Sequence, residues 1–395
     1  MKEARPVAEV FAAFLKLGLT SFGGPIAHLG YFRDELVLRR CWINDEAYAE
    51  LVALCQFLPG PASSQVGFAL GYARAGWLGA LAAFIAFTFP SALLMLALAF
   101  ASAAIDGPIA EAAFHGLKLV AVAIVGQAAW GMARSLTPDL LRAAIAISAA
   151  LIILLVGGAF GQIGAIALGA MAGLLLCRRL AVDQASRWLT IAMPRRLGVA
   201  AAILFVALLA GLPPLAHALG WRELALFDIF YRAGALVFGG GHVVLPLLQA
   251  ELVPPGWIGD DSFLAGYGAA QALPGPLFAI SAYLGTVAGD GVGGGLVALA
   301  ALFLPGFLIL TAALPFWARL RHNRTVKAAI IGVNAAVVGI LGMALYDPLV
   351  TTAVLSWRDA LLALTALAAL LRFRAPPLAI VAGLVAASVA FGVAA

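Results

Sequence analysis

Charge is scarce in this chain. Asp, Glu, Lys and Arg supply 11% of its 395 residues, where a soluble domain carries about 25%, so a soluble enzyme with a large core is excluded. Cysteine is scarcer still. Cys41, Cys55 and Cys177 lack the spacing of a metal site or a disulfide framework, and neither metal nor disulfide is expected. Gly-x-Ser-x-Gly, Walker, His-Glu-x-x-His and nucleotide-fingerprint patterns are missing as well, which argues against an enzyme, an ATPase and any cofactor. Work done by this protein must therefore draw on a gradient. Lys2 and Arg5 precede an apolar stretch, yet no small-residue cleavage site follows, and removal of a signal peptide is not expected.

What the chain does have is apolar length. It is 64% hydrophobic, with 43 glycines and 20 prolines, and its mean hydropathy is +1.04. Runs of about 20 residues recur from end to end, the pattern of helices in a bilayer. In the first half they cover 7–32, 47–73, 77–104, 112–133, 142–158 and 160–177. A basic linker, 178–196, and a single segment, 197–217, come next. The second half restarts near 225 and continues through 261–288, 293–317, 326–347, 353–371 and 376–395. The formal charge of +5 sits in short loops, where membrane topology explains it before nucleic acid does.

Two segments are broken in the same way. Gln56-Phe57-Leu58-Pro59-Gly60-Pro61 returns 215 residues later as Gln271-Ala272-Leu273-Pro274-Gly275-Pro276. The flanks are collinear. An offset of 216 pairs Lys16 with Arg232, Gly18 with Gly234, Phe22-Gly23-Gly24 with Phe238-Gly239-Gly240, and Glu35 with Glu251. An offset of 215 pairs Trp42-Ile43 with Trp257-Ile258, Gly79 with Gly294 and Pro90 with Pro305. This is the mark of an internal duplication. It predicts an N-terminal repeat over 1–177, a basic linker with one inverting transmembrane helix over 178–224, and a C-terminal repeat over 225–395.

Six segments per repeat with one between them turn the second repeat upside down. The charges agree. With the 178–196 linker inside, Arg134 and Arg142, then Arg319, Arg321 and Arg324, then Arg372 and Arg374 all fall inside, while Asp106, Glu111 and Asp347 fall outside. The basic loops thus occupy non-equivalent places in the two repeats, as inversion predicts. The 33–46 loop, with Arg33, Arg39 and Arg40, fits only if segments 7–32 and 47–73 enter and leave on one side. Thirteen crossings, or nine crossings with four re-entrant elements, both satisfy the parity of the segments, and the charges favour the second. The expected fold is an all-α polytopic membrane protein with two inverted-topology repeats and broken or re-entrant helices.

Irregular backbone at membrane depth lines a cavity or is buried in protein, and paired breaks mark the binding sites of duplicated transporters. A helix restarting after Pro61 or Pro276 presents unpaired amides and a positive dipole end, which suit an anion. Candidate substrate contacts are therefore Gly23, Gly24, Gln56, Pro59, Gly60, Pro61 and Ser63 in the first repeat. Gly239, Gly240, Gly241, Gln271, Pro274, Gly275 and Pro276 are their counterparts in the second. Lys16 and Arg232, charged within apolar surroundings, are candidate partners of a dianion. Glycines that only permit tight turns, and a Lys16 that snorkels to the interface, are the plain alternatives. His28, His242, Glu35 and Glu251 are candidates for proton coupling, with a hydrogen bond across a turn or an ion pair as the plain alternative for each.

Phe22-Gly23-Gly24-Pro25-Ile26-Ala27-His28, Phe238-Gly239-Gly240-Gly241-His242 and the two Gln-x-Leu-Pro-Gly-Pro stretches together resemble the chromate ion transporter family in its long, two-domain form. The similarity spans nearly the whole chain and is clearest in 14–90 and 226–305. It implies a bacterial inner-membrane protein that exports chromate and confers resistance to it. Sulfate is a second candidate, because both are tetrahedral dianions of similar size. The expected protein is a secondary transporter that works by alternating access, with an anion site at the repeat interface. Its expected partners are chromate or sulfate, membrane lipid and, as the base-rate oligomer, a second copy in a homodimer. A channel and a membrane enzyme are the rivals, and the sequence shows neither a ring-like charged filter nor a polar catalytic cluster.

Overall fold

Proline and glycine decide where the helices of this chain stop. The computed structural model describes residues 4–22, 24–104, 107–178, 191, 193–238, 243–289, 291–317, 323–373 and 375–393, which are helical with no strand among them. Helix α1 (Ala4–Thr20) ends ahead of the first glycine run, and α2 (Gly24–Phe32) continues into a π turn, Arg33–Arg39. Helix α3 (Asp45–Phe57) starts on Asn44, whose side chain accepts from the Ala47 amide, and stops before Pro59-Gly60-Pro61. Helix α4 (Ala62–Ala104) folds back at Ala75 and Gly76, the latter with φ +61°, giving a first limb, 62–74, and a second, 77–104. Gly71 and Gly79 face each other across this turn so closely that a Cβ on either would strike the other's carbonyl oxygen.

Helices α5 (Pro108–Leu136), α6 (Leu140–Val156), α7 (Gly158–Leu176) and α8 (Arg195–Leu219) follow. The second half repeats the plan with α9 (Arg222–Leu236), α10 (Val244–Leu252) and α11 (Asp260–Ala270). A break then leads through a 3-10 turn, Leu277–Ala279, into α12 (Ile280–Ala288). Helices α13 (Val292–Ala313), α14 (Arg324–Ala344), α15 (Trp357–Arg372) and α16 (Pro377–Val393) complete the chain. Gly285 and Gly294 pack backbone to backbone as Gly71 and Gly79 do. Among the described residues five apolar stretches are by length and composition long enough to cross a membrane: Ala62–Ser102, which spans the fold at Ala75 and Gly76, Glu111–Leu136, Arg195–Leu219, Val292–Phe316 and Arg324–Ala353.

Contacts divide the chain into two units, each drawing on both halves of the sequence. The first comprises Met1–Leu94, Val182–Gly241 and Pro274–Arg324, and the second Met95–Ala181, His242–Leu273 and Thr325–Ala395.

The first unit is centred on Phe14, Phe32 and Phe87, all buried, with ring centroids 5.5 Å and 5.0 Å apart in edge-to-face contacts. Gly18 abuts the carbonyl of Phe87, and Gly234 abuts that of Leu302, the equivalent residue of the other repeat. Glu9 accepts from Trp42 Nε1 at 3.2 Å and from Arg74 at 2.9 Å, with Arg40 at 3.8 Å. The start of α1, the polar 33–46 segment and the end of the first limb of α4 therefore meet. Both broken segments of the first repeat return to the end from which they set out, which is the re-entrant arrangement. In the second repeat Arg222 donates to the Ala288 carbonyl at 2.6 Å, joining the start of α9 to the end of α12 in the equivalent way.

In the second unit helix ends sort by charge. The turn Thr137–Leu141 lies against Leu176 at the end of α7, and Gly173 abuts Ala328 at the start of α14. Helices α5 and α15 run side by side in the same direction, through His115 with Asp359 and Gly126 with Leu367. Arg134, Arg142, Arg178, Lys327 and Arg372 thus gather at one end with Asp139 as the acidic exception, and Glu111, Asp347 and Asp359 at the other with Arg358 as the basic one. The positive-inside assignment made from the sequence predicts this sorting.

Candidate functional site

Leu-Pro-Gly-Pro cannot remain helical, because proline removes a donor and clashes with the preceding turn. In the first unit the two breaks are built alike. Gly60 has φ +113° and Gly275 φ +92°, in the region that favours glycine. Gly60 donates its N–H to the Val237 carbonyl at 2.8 Å, and Gly275 donates its own to the Ser21 carbonyl at 2.9 Å. Ser21 and Val237 are equivalent under the repeat offset of 216. Each break is thus docked on the glycine-run loop of the other repeat. A Cβ on Gly60 would lie 2.8 Å from Gly306 Cα, and one on Gly275 2.9 Å from Ser91 Oγ. Ser91 and Gly306 are again equivalent, each following an in-helix proline, Pro90 or Pro305.

The amides of both central glycines are therefore occupied. The restarted helices begin their own bonding with Gln65 N–H to the Pro61 carbonyl at 2.9 Å and Ala279 N–H to the Pro276 carbonyl at 3.0 Å. The amides of Ala62, Ser63 and Ser64, and of Leu277 and Phe278, precede those first bonds and are the ones an anion can address.

The two breaks differ in polarity. Gln65 Nε2 ties the first one down by donating to the carbonyls of Pro59 at 2.9 Å and Gly306 at 2.8 Å. The second lies beside hydroxyl groups: Ser21, Ser91 and Thr88, whose carbonyl accepts from Ser91 Oγ at 3.0 Å. His28 is hydrogen-bonded to the Ser21 backbone and packs edge-on against Phe87. All four side chains are buried, and Ser21 Oγ, Thr88 Oγ1 and His28 Nδ1 have no partner among the described residues. The equivalent positions in the second repeat are Val237, Gly306, Phe303 and Val244, all apolar. Gln65, Ser21, Thr88 and Ser91 were not among the contacts expected from sequence. Ser21 and Ser91 adjoin matched residues, Phe22 and Pro90, and that adjacency is the signal that would have flagged them.

The charged candidates are paired. Lys16 Nζ lies 2.6 Å from Glu35, which also accepts from Arg40 at 2.9 Å and Arg39 at 3.2 Å. Burial by itself raises the Glu35 pKa, but hydrogen bonds from Lys16, Arg40 and Arg39 outweigh it and hold the carboxyl down to about 2. That suits a permanent ion pair better than a proton carrier. Arg33 bonds Asp45 through two contacts of 2.6 Å and 2.9 Å and keeps its carboxyl below the usual range. Arg232 donates to Asp228 at 3.1 Å, one turn earlier on α9.

The remaining candidates are dispersed. Gln56 is exposed, whereas its counterpart Gln271 is buried beside Tyr267, with Nε2 unpartnered among the described residues. Gly24 takes φ +81° at the start of α2. Ser63 is buried in the first turn of α4. Pro59 and Pro274 are half-buried, and Pro61 and Pro276 buried. Glu251 is half-buried on α10 and engaged with a neighbour. Gly23, Gly239, Gly240, Gly241 and His242 lie outside the described residues.

The family described as Chromate transporter matches residues 8–174 and 224–390. A chromate transport protein of Pseudomonas aeruginosa is 31% identical over 344 residues, covering 86% of this chain and 80% of that protein. One of Cupriavidus metallidurans is 30% identical over 366 residues, covering 91% and 87%. A protein of Methanocaldococcus jannaschii described as an uncharacterized transporter is 27% identical over 338 residues, covering 84% and 82%. No solved structure matches this chain.

Proposed function

We propose that this chain, which belongs to the chromate transporter family, is a secondary transporter that exports chromate across the bacterial inner membrane. The observation that carries the reading is the reciprocal docking of the two breaks, Gly60 on Val237 and Gly275 on Ser21. Breaks that only ended helices would have no reason to be exchanged between repeats. Exchanged, they bring two sets of helix-start amides into one unit, beside buried hydroxyls that still have bonds to make.

In this reading the dianion is held by the amides of Ala62, Ser63 and Ser64 and of Leu277 and Phe278, and by the hydroxyls of Ser21, Thr88 and Ser91. The glycines let an oxygen approach the backbone. Gln56 adds an amide donor at the approach. Lys16 and Arg232 give the site positive potential, each neutralised by its carboxylate until the anion arrives. Alternating access follows if the two break bonds open in turn, so that the anion leaves on the face opposite the one it came from. Amides and hydroxyls do not distinguish chromate from another tetrahedral dianion, and sulfate is the alternative cargo of the same site.

Everted membrane vesicles test this directly. An exporter of chromate makes them accumulate labelled chromate saturably, with sulfate and molybdate competing according to their fit. Uptake that never saturates would identify a channel, and vesicles no different from protein-free controls would reject transport.

A further inference from the structure

The second unit holds a titratable cluster that the anion pathway leaves unused. A cleft of 390 Å³ opens where the starts of α5 and α15 meet the end of α16, lined among others by Glu111, His115, Arg358, Asp359 and Ser388. His115 Nε2 lies 2.8 Å from Asp359 Oδ1. The other carboxylate oxygen of Asp359 accepts from Ser356 N–H at 2.9 Å, Ser356 Oγ at 2.9 Å and Leu355 N–H at 3.1 Å. That capping box fixes the carboxylate, so it cannot turn away from the imidazole. The His115 side chain keeps 25% of its surface exposed and the Asp359 side chain 12%. Ser388 Oγ, in a residue only 6% exposed, lines the same cleft and has no partner among the described residues.

A carboxylate held by three donors on one oxygen, with an imidazole on the other, is built to stabilise one added proton. Glu111 on α5 and Arg358 on α15 line the same cleft, where α16 presents the neutral Ser388; Asp347 lies in the turn packed on α5, and Asp260 and Asp261 on α11, which also packs on α5. Lys118, one turn beyond His115, is itself paired with Asp261 at 2.8 Å.

We propose that His115 and Asp359 form the proton-binding site that couples transport to a pH gradient; the inference rests on the transport reading above. His115 Nδ1 takes the proton from the cleft, while Nε2–H remains on Asp359 Oδ1. The hydrogen bond from a neutral imidazole to the Asp359 carboxylate, between α5 and α15, then becomes an ion pair and tightens. Helix α5 is placed to pass this on. Residue 117, beside Lys118, has its carbonyl against Gly268 of α11 with no room for a Cβ, and α11 runs directly into Gln271 and the second break. Glu35, locked among cations, and His28, buried beside the hydroxyl wall, are left free of the coupling role.

Two measurements decide the matter. In vesicles, uptake by the wild-type protein falls when the pH gradient is collapsed, whereas H115Q and D359N give equal rates with and without it. Variants that keep the full response to the gradient would overturn the proposal. In detergent, NMR on the purified protein follows the imidazoles, with H115Q identifying the His115 signal. D359N, which keeps an acceptor for the capping box, takes the carboxylate from His115 Nε2–H and changes that imidazole's chemical shift at fixed pH; an unchanged signal would reject the pair. A wild-type protein that carries no chromate would defeat the transport reading alone, since the NMR signal still reports on the pair.

Discussion

Gly275 donates its amide hydrogen to the carbonyl oxygen of Ser21 over 2.9 Å. Across the repeat, Gly60 does the same to Val237 over 2.8 Å. Each of the two equivalent breaks thus rests on the loop that precedes the glycine run of the other repeat.

The bonds explain why the middle residue of each Pro-Gly-Pro is glycine, and they predict unequal sensitivities. An alanine at either position must hold a positive φ, at a cost of about 1–2 kcal/mol. Its methyl group then meets Gly306 Cα at 2.8 Å in the first break, and Ser91 Oγ at 2.9 Å with the Phe87 carbonyl oxygen at 3.1 Å in the second. The tightest contact is backbone in the first break and a movable serine side chain in the second. G60A should therefore lower the thermal midpoint in detergent more than G275A does. Adding S91A should recover part of the loss in G275A only. Equal losses, or no recovery, would show that the crossed docking does not govern these positions.

Gln65 is the latch of the first break. Its side-chain amide satisfies the carbonyls of Pro59 and Gly306, 241 residues apart in sequence from the latter. Leucine has nearly the same shape and no donor, so Q65L leaves both carbonyls without this bond and should cost about 1–3 kcal/mol. Denaturation in mild detergent, monitored by tryptophan fluorescence, measures it. A neutral substitution would mean that water replaces the amide and that the break is wetter than its burial suggests.

Much of this architecture was legible in the chain. The repeat offset followed from matched rigid residues, and re-entry followed from Arg33, Arg39 and Arg40, which made little sense on the outer face. What could not be read was partnership at long range. Lys16 and Arg232 looked like matched bare cations, but their carboxylates, Glu35 and Asp228, are not equivalent residues. The amides of Gly60 and Gly275 looked free for an anion because a backbone bond to the other repeat leaves no trace in composition. The polarity difference between the breaks sits at positions such as Ser91 and Gly306, where the repeats disagree and an alignment by matches is silent. His115 and Asp359 are 244 residues apart and share no pattern at all.

The two cations separate charge from structure. K16A and R232A should each reduce vesicle uptake at least tenfold, about 1.4 kcal/mol of lost stabilisation, while the protein still inserts. K16A also takes one of three cations from Glu35, leaving Arg39 and Arg40, so the informative variant is K16A combined with E35A. If Lys16 only neutralises Glu35, the double variant regains the wild-type rate. If Lys16 serves the anion, the double variant stays slow.

Acid provides the last test. The Glu35 carboxyl ordinarily has a pKa of 4.5 and in the folded protein sits at about 2. Its ion pairs therefore contribute stability that is complete above the unfolded value and is lost as the pH falls through the interval between the two. The side chains of Lys16 and Arg39 are 45% and 69% exposed, so solvent screens the pairs and the contribution is about 1–2 kcal/mol. Thermal midpoints of wild type and E35Q, measured from pH 6 down to about pH 3, should differ most at the upper end and converge toward the lower. Salt should narrow the gap at pH 6, because the outer partners lie within reach of screening ions. A gap that stays constant with pH would assign the effect of E35Q to packing and remove the ion cluster as the clasp that ties the 33–46 segment to Lys16, in the later part of α1.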